Sequence, residues 1–349
     1  MAPRSRSCRP WPGAESGLGD EGRRVKSVAR YESVLGLIGE TPLVEISALS
    51  PNPDARLFIK LEGQNPGGSV KDRVALSMIE IAESDGILKP GQPDQILMEP
   101  SSGNTGIGLA MVCKVKGYHL KVVMPTNVSI ERRQLLELWG AEIIESPGSE
   151  GSNGAVRLAQ KLAGEHPEWK FLYQYGNPAN PQAHYEGTGP EILRDCPDIT
   201  HFVAGLGTSG TLLGVGRYLR ETRGDAVQIW AVEPPSGETV DGLRNLDDGY
   251  IPPIFEALGG AELLDRKTVV RPRESIEWTR RLTDVGVFAG ISTGAAVAGA
   301  IKCASSLEPG VAASIVVVSA DGGWKYLSTG AWTDDLDEVV ERAKSIIYF

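Results

Sequence analysis

From Tyr31 onward, short apolar runs alternate with longer stretches in which apolar residues recur every three or four positions. The short runs predict strands at Arg56–Leu61, Gln95–Glu99, His119–Met124, Ala141–Glu145, His201–Ala204, Val227–Val232 and Ser314–Ser319. The longer stretches predict helices over Asp72–Ser84, Thr105–Lys116, Ile130–Trp139 and Ser152–Ala163. A further helix leaves the glycine-rich segment at 205–211 and runs to about Arg220, followed by Ser275–Asp284 and Thr293–Ser305. Punctuation supports these bounds: Asp72 reads as an acidic N-cap, Pro125 closes a strand, and Gly140 ends a helix. Strand–helix alternation of this kind predicts an α/β architecture with mainly parallel sheets. Val227–Val232 is apolar enough to be buried on both faces. No internal repeat or long linker interrupts the pattern. Two α/β lobes are expected, a small one at 68–178 and a large one made of 31–67 with 179–349. A cleft between them is where a ligand would bind.

Composition narrows this picture. A chain of 349 residues can bury two cores, and 41% hydrophobic with 23% charged residues is ordinary for a soluble protein. The net charge of −10 argues against nucleic acid or an anionic membrane as partner. The first thirty residues run the other way, with seven basic (Arg4, Arg6, Arg9, Arg23, Arg24, Lys26, Arg30) and three acidic (Glu15, Asp20, Glu21) side chains. Lacking apolar periodicity, residues 1–30 read as a disordered extension or an upstream start, with targeting as the alternative. Cys8, Cys113, Cys196 and Cys303 show no metal-like spacing, and the last three read as small buried hydrophobes. No apolar run reaches the ~20 residues of a membrane span. The expectation is a cytoplasmic protein without a metal.

The chemistry concentrates in three loops. Lys71 lies in Pro66-Gly67-Gly68-Ser69-Val70-Lys71-Asp72-Arg73, a Gly/Ser-rich turn opening a helix. A lysine there can attack a carbonyl once desolvation lowers its pKa. Ser101-Ser102-Gly103-Asn104-Thr105-Gly106 and Gly205-Leu206-Gly207-Thr208-Ser209-Gly210-Thr211 each open a helix with backbone N–H groups suited to anions. A lysine for an aldehyde, with loops for phosphate and carboxylate, points to pyridoxal 5'-phosphate (PLP) chemistry on an amino acid. A rival reading uses Gly205-x-Gly207-x-x-Gly210 as a dinucleotide fingerprint, with Glu233 near the ribose-binding position. An NAD-dependent oxidoreductase leaves Lys71 and Asn104 unexplained, and the hydroxyls of Thr208, Ser209 and Thr211 suit a terminal phosphate at least as well.

Taken together, Gly39-Glu40-Thr41-Pro42-Leu43, Ser69 to Arg73, Ser101 to Gly106, Gln174 to Asn180, Gly207 to Thr211 and Gly290-Ile291-Ser292-Thr293-Gly294 resemble the cysteine synthase family over residues 31–349. The resemblance implies fold type II, PLP as cofactor and β-replacement on an O-activated L-serine through an aminoacrylate. It implies that Lys71 forms the Schiff base and shuttles the α-proton, and that Asn104 bonds the cofactor's phenolic oxygen. Gly207, Thr208, Ser209, Gly210 and Thr211 would cradle the phosphate, and Ser292 would face the pyridine nitrogen. A neutral hydroxyl there does not hold the nitrogen protonated, which favours elimination over a long-lived carbanion. Ser292 is also read as a helix N-cap. Ser101, Ser102, Asn104, Thr105 and Gln174 would bind the substrate carboxylate, with Ser101 standing where the family usually has Thr. A homodimer is implied as well.

The leaving group turns on Gly242-Leu243-Arg244-Asn245-Leu246-Asp247-Asp248-Gly249, where Arg244 could grip a dianionic phosphate. A surface salt bridge with Asp247 or Asp248 is the alternative for Arg244. With Asp321-Gly322-Gly323-Trp324-Lys325-Tyr326-Leu327-Ser328, this segment resembles the O-phosphoserine sulfhydrylase branch, whose members take sulfur from a small carrier protein ending in a thiocarboxylate. An O-acetylserine sulfhydrylase is the nearest alternative. A cystathionine β-synthase lacks support, with no regulatory domain after Tyr326 and no haem-ligand pattern. A serine or threonine dehydratase would not pair the Gly290–Gly294 helix start with Arg244, and a binding-only relative would not need Lys71. The C-terminal Ile346-Ile347-Tyr348-Phe349 reads as the last turn of a surface helix or as a tail folding toward the cleft.

Overall fold

The computed structural model describes residues 30–345 apart from Pro93 and Gly249. Residues 1–29 and the apolar tail Ile346–Phe349 lie outside the described residues, and with them the expectations made there. In chain order the strands are β1 (Leu43–Glu45), β2 (Ala55–Leu61), β3 (Ile96–Pro100), β4 (His119–Pro125), β5 (Glu142–Ser146), β6 (Lys170–Phe171), β7 (His201–Gly205), β8 (Gln228–Glu233), β9 (Arg266–Val269) and β10 (Ala313–Ser319). They form a six-stranded sheet, β1-β2-β10-β7-β8-β9, and a four-stranded sheet, β5-β4-β3-β6. Every pairing is parallel except the edge pair β1–β2.

Parallel strands buried on both faces favour successive apolar residues, which Ile315–Val318 and Ile229–Val232 supply. In β10, Ile315 and Val317 join one core with Leu57, Ile59, Val203 and Val232, while Val316 and Val318 join another with Phe58, Phe202 and Ile229. The first core is covered by α10 (Pro272–Arg281) and α11 (Ile291–Ser306), the second by α6 (Gly189–Asp195) and α7 (Gly210–Arg223). The smaller sheet packs α1 (Lys71–Ser84) and α2 (Asn104–Lys116) on one face and α4 (Gly151–Glu165) on the other. The remaining helices are α3 (Ile130–Leu138), α5 (Ala179–Ala183), α8 (Pro253–Ala257), α9 (Gly260–Leu263) and α12 (Leu336–Ser345).

Two local expectations change. Asp72 is not an N-cap: α1 begins at Lys71, and the Asp72 carboxylate reaches back to the Gly67 N–H at 2.5 Å. The helix expected at Ser275–Asp284 starts at Pro272, the residue type that suits a first turn, and gives way to a 3₁₀ turn at Leu282–Val285. The short strands β1, β6 and β9 escape the hydrophobic pattern because they sit at sheet edges and are only partly buried. Cys113, Cys196 and Cys303 are buried free thiols, as expected, and burial pushes each up to about 12, leaving them inert.

Candidate active site

Because β2, β10, β7 and β8 run parallel, the loops after their carboxyl ends emerge on one side. They are the Lys71 turn, the segment from Ala320 to Tyr326, the loop at Gly205–Ser209 and the segment leading to Arg244. The asparagine loop follows β3 of the smaller sheet. The Lys71 turn is tied down on both sides: the Val70 N–H donates to the Ala320 carbonyl at 2.8 Å, and Ser69 bridges Asp321. Behind it, Arg73 donates to Glu62 and Glu191 at 2.7 Å each, and Lys60 pairs with Glu191 at 2.8 Å, all of them buried. This network anchors the first turn of α1 and so fixes where the Lys71 side chain departs. Burial lowers the Lys71 amine to about 8, against the opposing pull of Asp321 and Glu62. An amine held there has a reactive neutral fraction near neutral pH.

The asparagine loop is braced from within. Ser101 Oγ accepts the Gly106 N–H at 2.9 Å, and Thr105 Oγ1 donates to Gln174 Oε1 at 2.6 Å. Glu99 accepts the N–H groups of Tyr173 (2.7 Å) and Gln174 (3.0 Å), holding Tyr173 at a left-handed φ of +55°. Ser102 Oγ accepts from Ser152 Oγ at 3.2 Å. Asn104 is held by partners that the sequence reading did not assign: its Nδ2 donates to Asp321 Oδ2 at 2.8 Å, and its Oδ1 accepts from Lys325 Nζ at 2.6 Å. Tyr326 donates to the same Asp321 oxygen at 2.6 Å. Burial brings Lys325 down to about 8, with Asp321 and Asp72 opposing. Arg132 on α3 and Asp241 form a buried ion pair at the same wall. Asp321, Lys325 and Tyr326 fall inside a segment the sequence singled out, whereas Arg132 and Asp241 had no local signal.

The loop after β7 turns at Ser209, whose φ of +69° is left-handed, so that consecutive N–H groups converge. The Ser209 hydroxyl is buried and makes no hydrogen bond among the described residues. Two adjoining cavities meet here. One is lined by Ser101, Ser102, Asn104, Thr105 and Gln174, the other by Ser209, Gly210 and Thr211, and both include Lys71, Gly207, Thr208 and Ser292. Lys71 therefore stands where the two cavities meet. Ser292 is the second residue of α11 rather than its N-cap, which is Gly290, because the helix starts two residues earlier. Glu233, the acid a dinucleotide would need, is buried, paired with Lys267 at 2.9 Å and bonded to the Leu246 N–H.

A buried hydroxyl without a partner beside helix-terminal amides, a desolvated lysine and no acid for a ribose fit PLP. A family model described as pyridoxal-phosphate dependent enzyme matches residues 34–321. The chain belongs to this family. It is 44% identical over 300 residues to cysteine synthase B of Salmonella typhimurium, covering 85% of this chain and 95% of that protein. The crystal structure of O-ureido-L-serine synthase superposes with a TM-score of 0.79 at 37% identity, covering 87% of this chain and 95% of that one. The cysteine synthase of Entamoeba histolytica gives 0.79 at 31% identity, covering 95% and 99%. The chain is thus a PLP-dependent enzyme of fold type II with a sulfhydrylase-type transferase activity.

Arg244 is the one expected site residue that lines neither cavity. It is buried, with its guanidinium 4.6 Å from the Tyr250 ring centre and 5.4 Å from that of Tyr175, and it donates to Asn153 Oδ1 at 3.4 Å. Tyr175 does line the first cavity, so Arg244 packs against a residue of its wall. Asp247 pairs instead with Lys267 at 3.5 Å, and Asp248 accepts from Ser236 Oγ at 2.5 Å. Among the described residues, no helix is long and apolar enough to cross a membrane and no side-chain group is arranged to hold a metal.

Proposed function

We propose that this enzyme is a cysteine synthase that replaces the phosphate of O-phospho-L-serine with sulfur. The observation that carries the reading is Lys71 at the junction of an anion cradle and a polar pocket. Bound there, PLP supplies the electron sink that labilises the α-proton and the β-substituent of an amino acid. Lys71 would hold the cofactor and then move the α-proton. Gly207, Thr208, Ser209, Gly210 and Thr211 would hold its phosphate, and Asn104 would orient its ring. Ser292 would offer the ring nitrogen a neutral hydroxyl. Ser101, Ser102, Asn104, Thr105 and Gln174 bind the substrate carboxylate, and residues 68–178 close over it as a small lobe against 31–67 and 179–349, excluding water.

Arg244 then reads the leaving phosphate by moving out from behind Tyr175. Support comes from its packing against Tyr250 and against Tyr175, a residue of the cavity wall. The sulfur donor is sulfide or the thiocarboxylate of a small carrier protein, and the working form is a homodimer. One observation favours the O-acetylserine reading instead: the Arg244 side chain is outside both cavity walls. Turnover of the two serine esters by the PLP-loaded protein decides between them. A kcat/KM higher for O-phosphoserine is expected, and a higher value for O-acetylserine overturns the donor assignment.

A further inference from the structure

His184 is one of only four histidines in the chain, fully buried, and no part of the reaction requires it. It opens a turn of π-helix, His184–Thr188, between α5 and α6. Its Nδ1 is 2.9 Å from Thr188 Oγ1, and its Nε2 is 3.1 Å from Thr211 Oγ1. Burial, with Lys71 and Arg73 nearby, lowers its pKa well below the usual imidazole range, so the ring is neutral. A neutral imidazole has one donor and one acceptor nitrogen, and each hydroxyl beside it can play either part.

The approach of this turn to the phosphate loop is built in. A Cβ on Gly214 would stand 2.2 Å from the Pro181 carbonyl oxygen and 2.7 Å from His184 Cβ, so only glycine lets α7 lie this close. One turn earlier Asn180 does the same work on Thr208. Its Nδ2 donates to the Gln174 carbonyl and to Thr208 Oγ1, both at 3.0 Å. Because a carbonyl only accepts, the Asn180 amide is oriented without ambiguity, and Thr208 receives a hydrogen bond. Its own proton stays available, as does that of Ser209.

We propose that His184 is a positioning residue that sets the polarity of Thr211, as the Nε2–H tautomer donating to Thr211 Oγ1 and accepting from Thr188 through Nδ1. The Thr211 proton is then directed at a bound phosphate. The opposite tautomer would commit that proton to the imidazole and turn a lone pair toward a dianion. All three loop hydroxyls thus become donors, two of them primed by the single segment from Asn180 to His184. This inference rests on reading Gly207–Thr211 as the cofactor's phosphate cradle.

The test is ¹⁵N NMR of the PLP-loaded protein with labelled histidine. Four resonance pairs are simple to resolve, and His184→Asn identifies the one that disappears. A protonated Nε2 with a bare Nδ1 is expected, and the reverse overturns the proposal. In parallel, PLP affinity is measured for His184→Gln, whose amide reaches the Nε2 position, and His184→Asn, whose amide reaches only the Nδ1 position. The Asn variant should bind PLP about 10-fold more weakly and the Gln variant close to wild type. Equal losses in the two variants overturn the proposal. Wild-type protein that fails to bind PLP defeats the cradle reading itself, which is a distinct result.

Discussion

Lys71 offers the most direct check, because its reactivity follows from how it is buried. Lowering the amine from 10.5 to about 8 raises its neutral fraction near pH 7.5 from about one in a thousand to about one quarter. That is roughly a 200-fold gain in nucleophile over an exposed lysine. The assay strips the cofactor, adds PLP, and follows the return of visible absorbance from about pH 6 to 9.5. The sign is fixed by the chemistry: only the deprotonated amine attacks, so the loading rate should rise tenfold per pH unit, then flatten above about pH 8. Asp321 opposes the shift by favouring the charged amine, so Asp321→Asn, nearly isosteric, should move the bend to lower pH. A rate still climbing tenfold per unit at pH 9.5 would refute the buried-amine argument. A bend displaced upward in Asp321→Asn would refute the role given to that carboxylate.

Four further outcomes are expected. Arg244→Gln should lower kcat/KM for O-phosphoserine by roughly 10- to 100-fold while sparing O-acetylserine, since only a dianionic leaving group rewards the guanidinium; equal losses for both esters would remove Arg244 as the phosphate reader. Arg73→Ala should reduce folding stability by about 3–5 kcal/mol in denaturant titrations, because Glu62 and Glu191 are left buried without their shared cation. Glu191 is held at about 2 despite its burial, chiefly by Arg73, so its contribution is present above pH 4.5 and is lost as pH falls toward 2; the Arg73→Ala protein should show a weaker acid transition in that window. Phe202→Ala, at a fully buried position in the central strand β7, should lower stability by about 3–5 kcal/mol without altering PLP affinity per folded molecule.

Legibility in the sequence followed the range of the interactions involved. The central strands announced themselves because burial on both faces forces unbroken apolar runs, as in Ile315–Val318. Edge strands β1, β6 and β9 carry no such constraint and were invisible. Asp72 shows how a local rule yields to tertiary demand. It stands where an N-cap would be, yet burial lifts it to about 6 and its carboxylate is committed to the preceding loop. In the site, the loops that line the two cavities were readable because glycine, serine and threonine cluster there. The partnerships that brace them were not: Asn180, Asp321 and Lys325 lie in segments the sequence singled out, yet nothing local says that they hold Thr208 and Asn104.

By itself the sequence determined the α/β class, the PLP dependence and the three loops that line the cavities, because each rests on residues adjacent in the chain. Only the tertiary structure decided that Lys71 sits where two cavities meet, that Asp321 and Lys325 hold Asn104, and that Arg244 packs against Tyr175 rather than lining either cavity. The reason is distance along the chain. Asn104 and Asp321 are 217 residues apart, on loops that follow strands of two different sheets, and they come within 2.8 Å only because the two sheets pack with those loops facing each other.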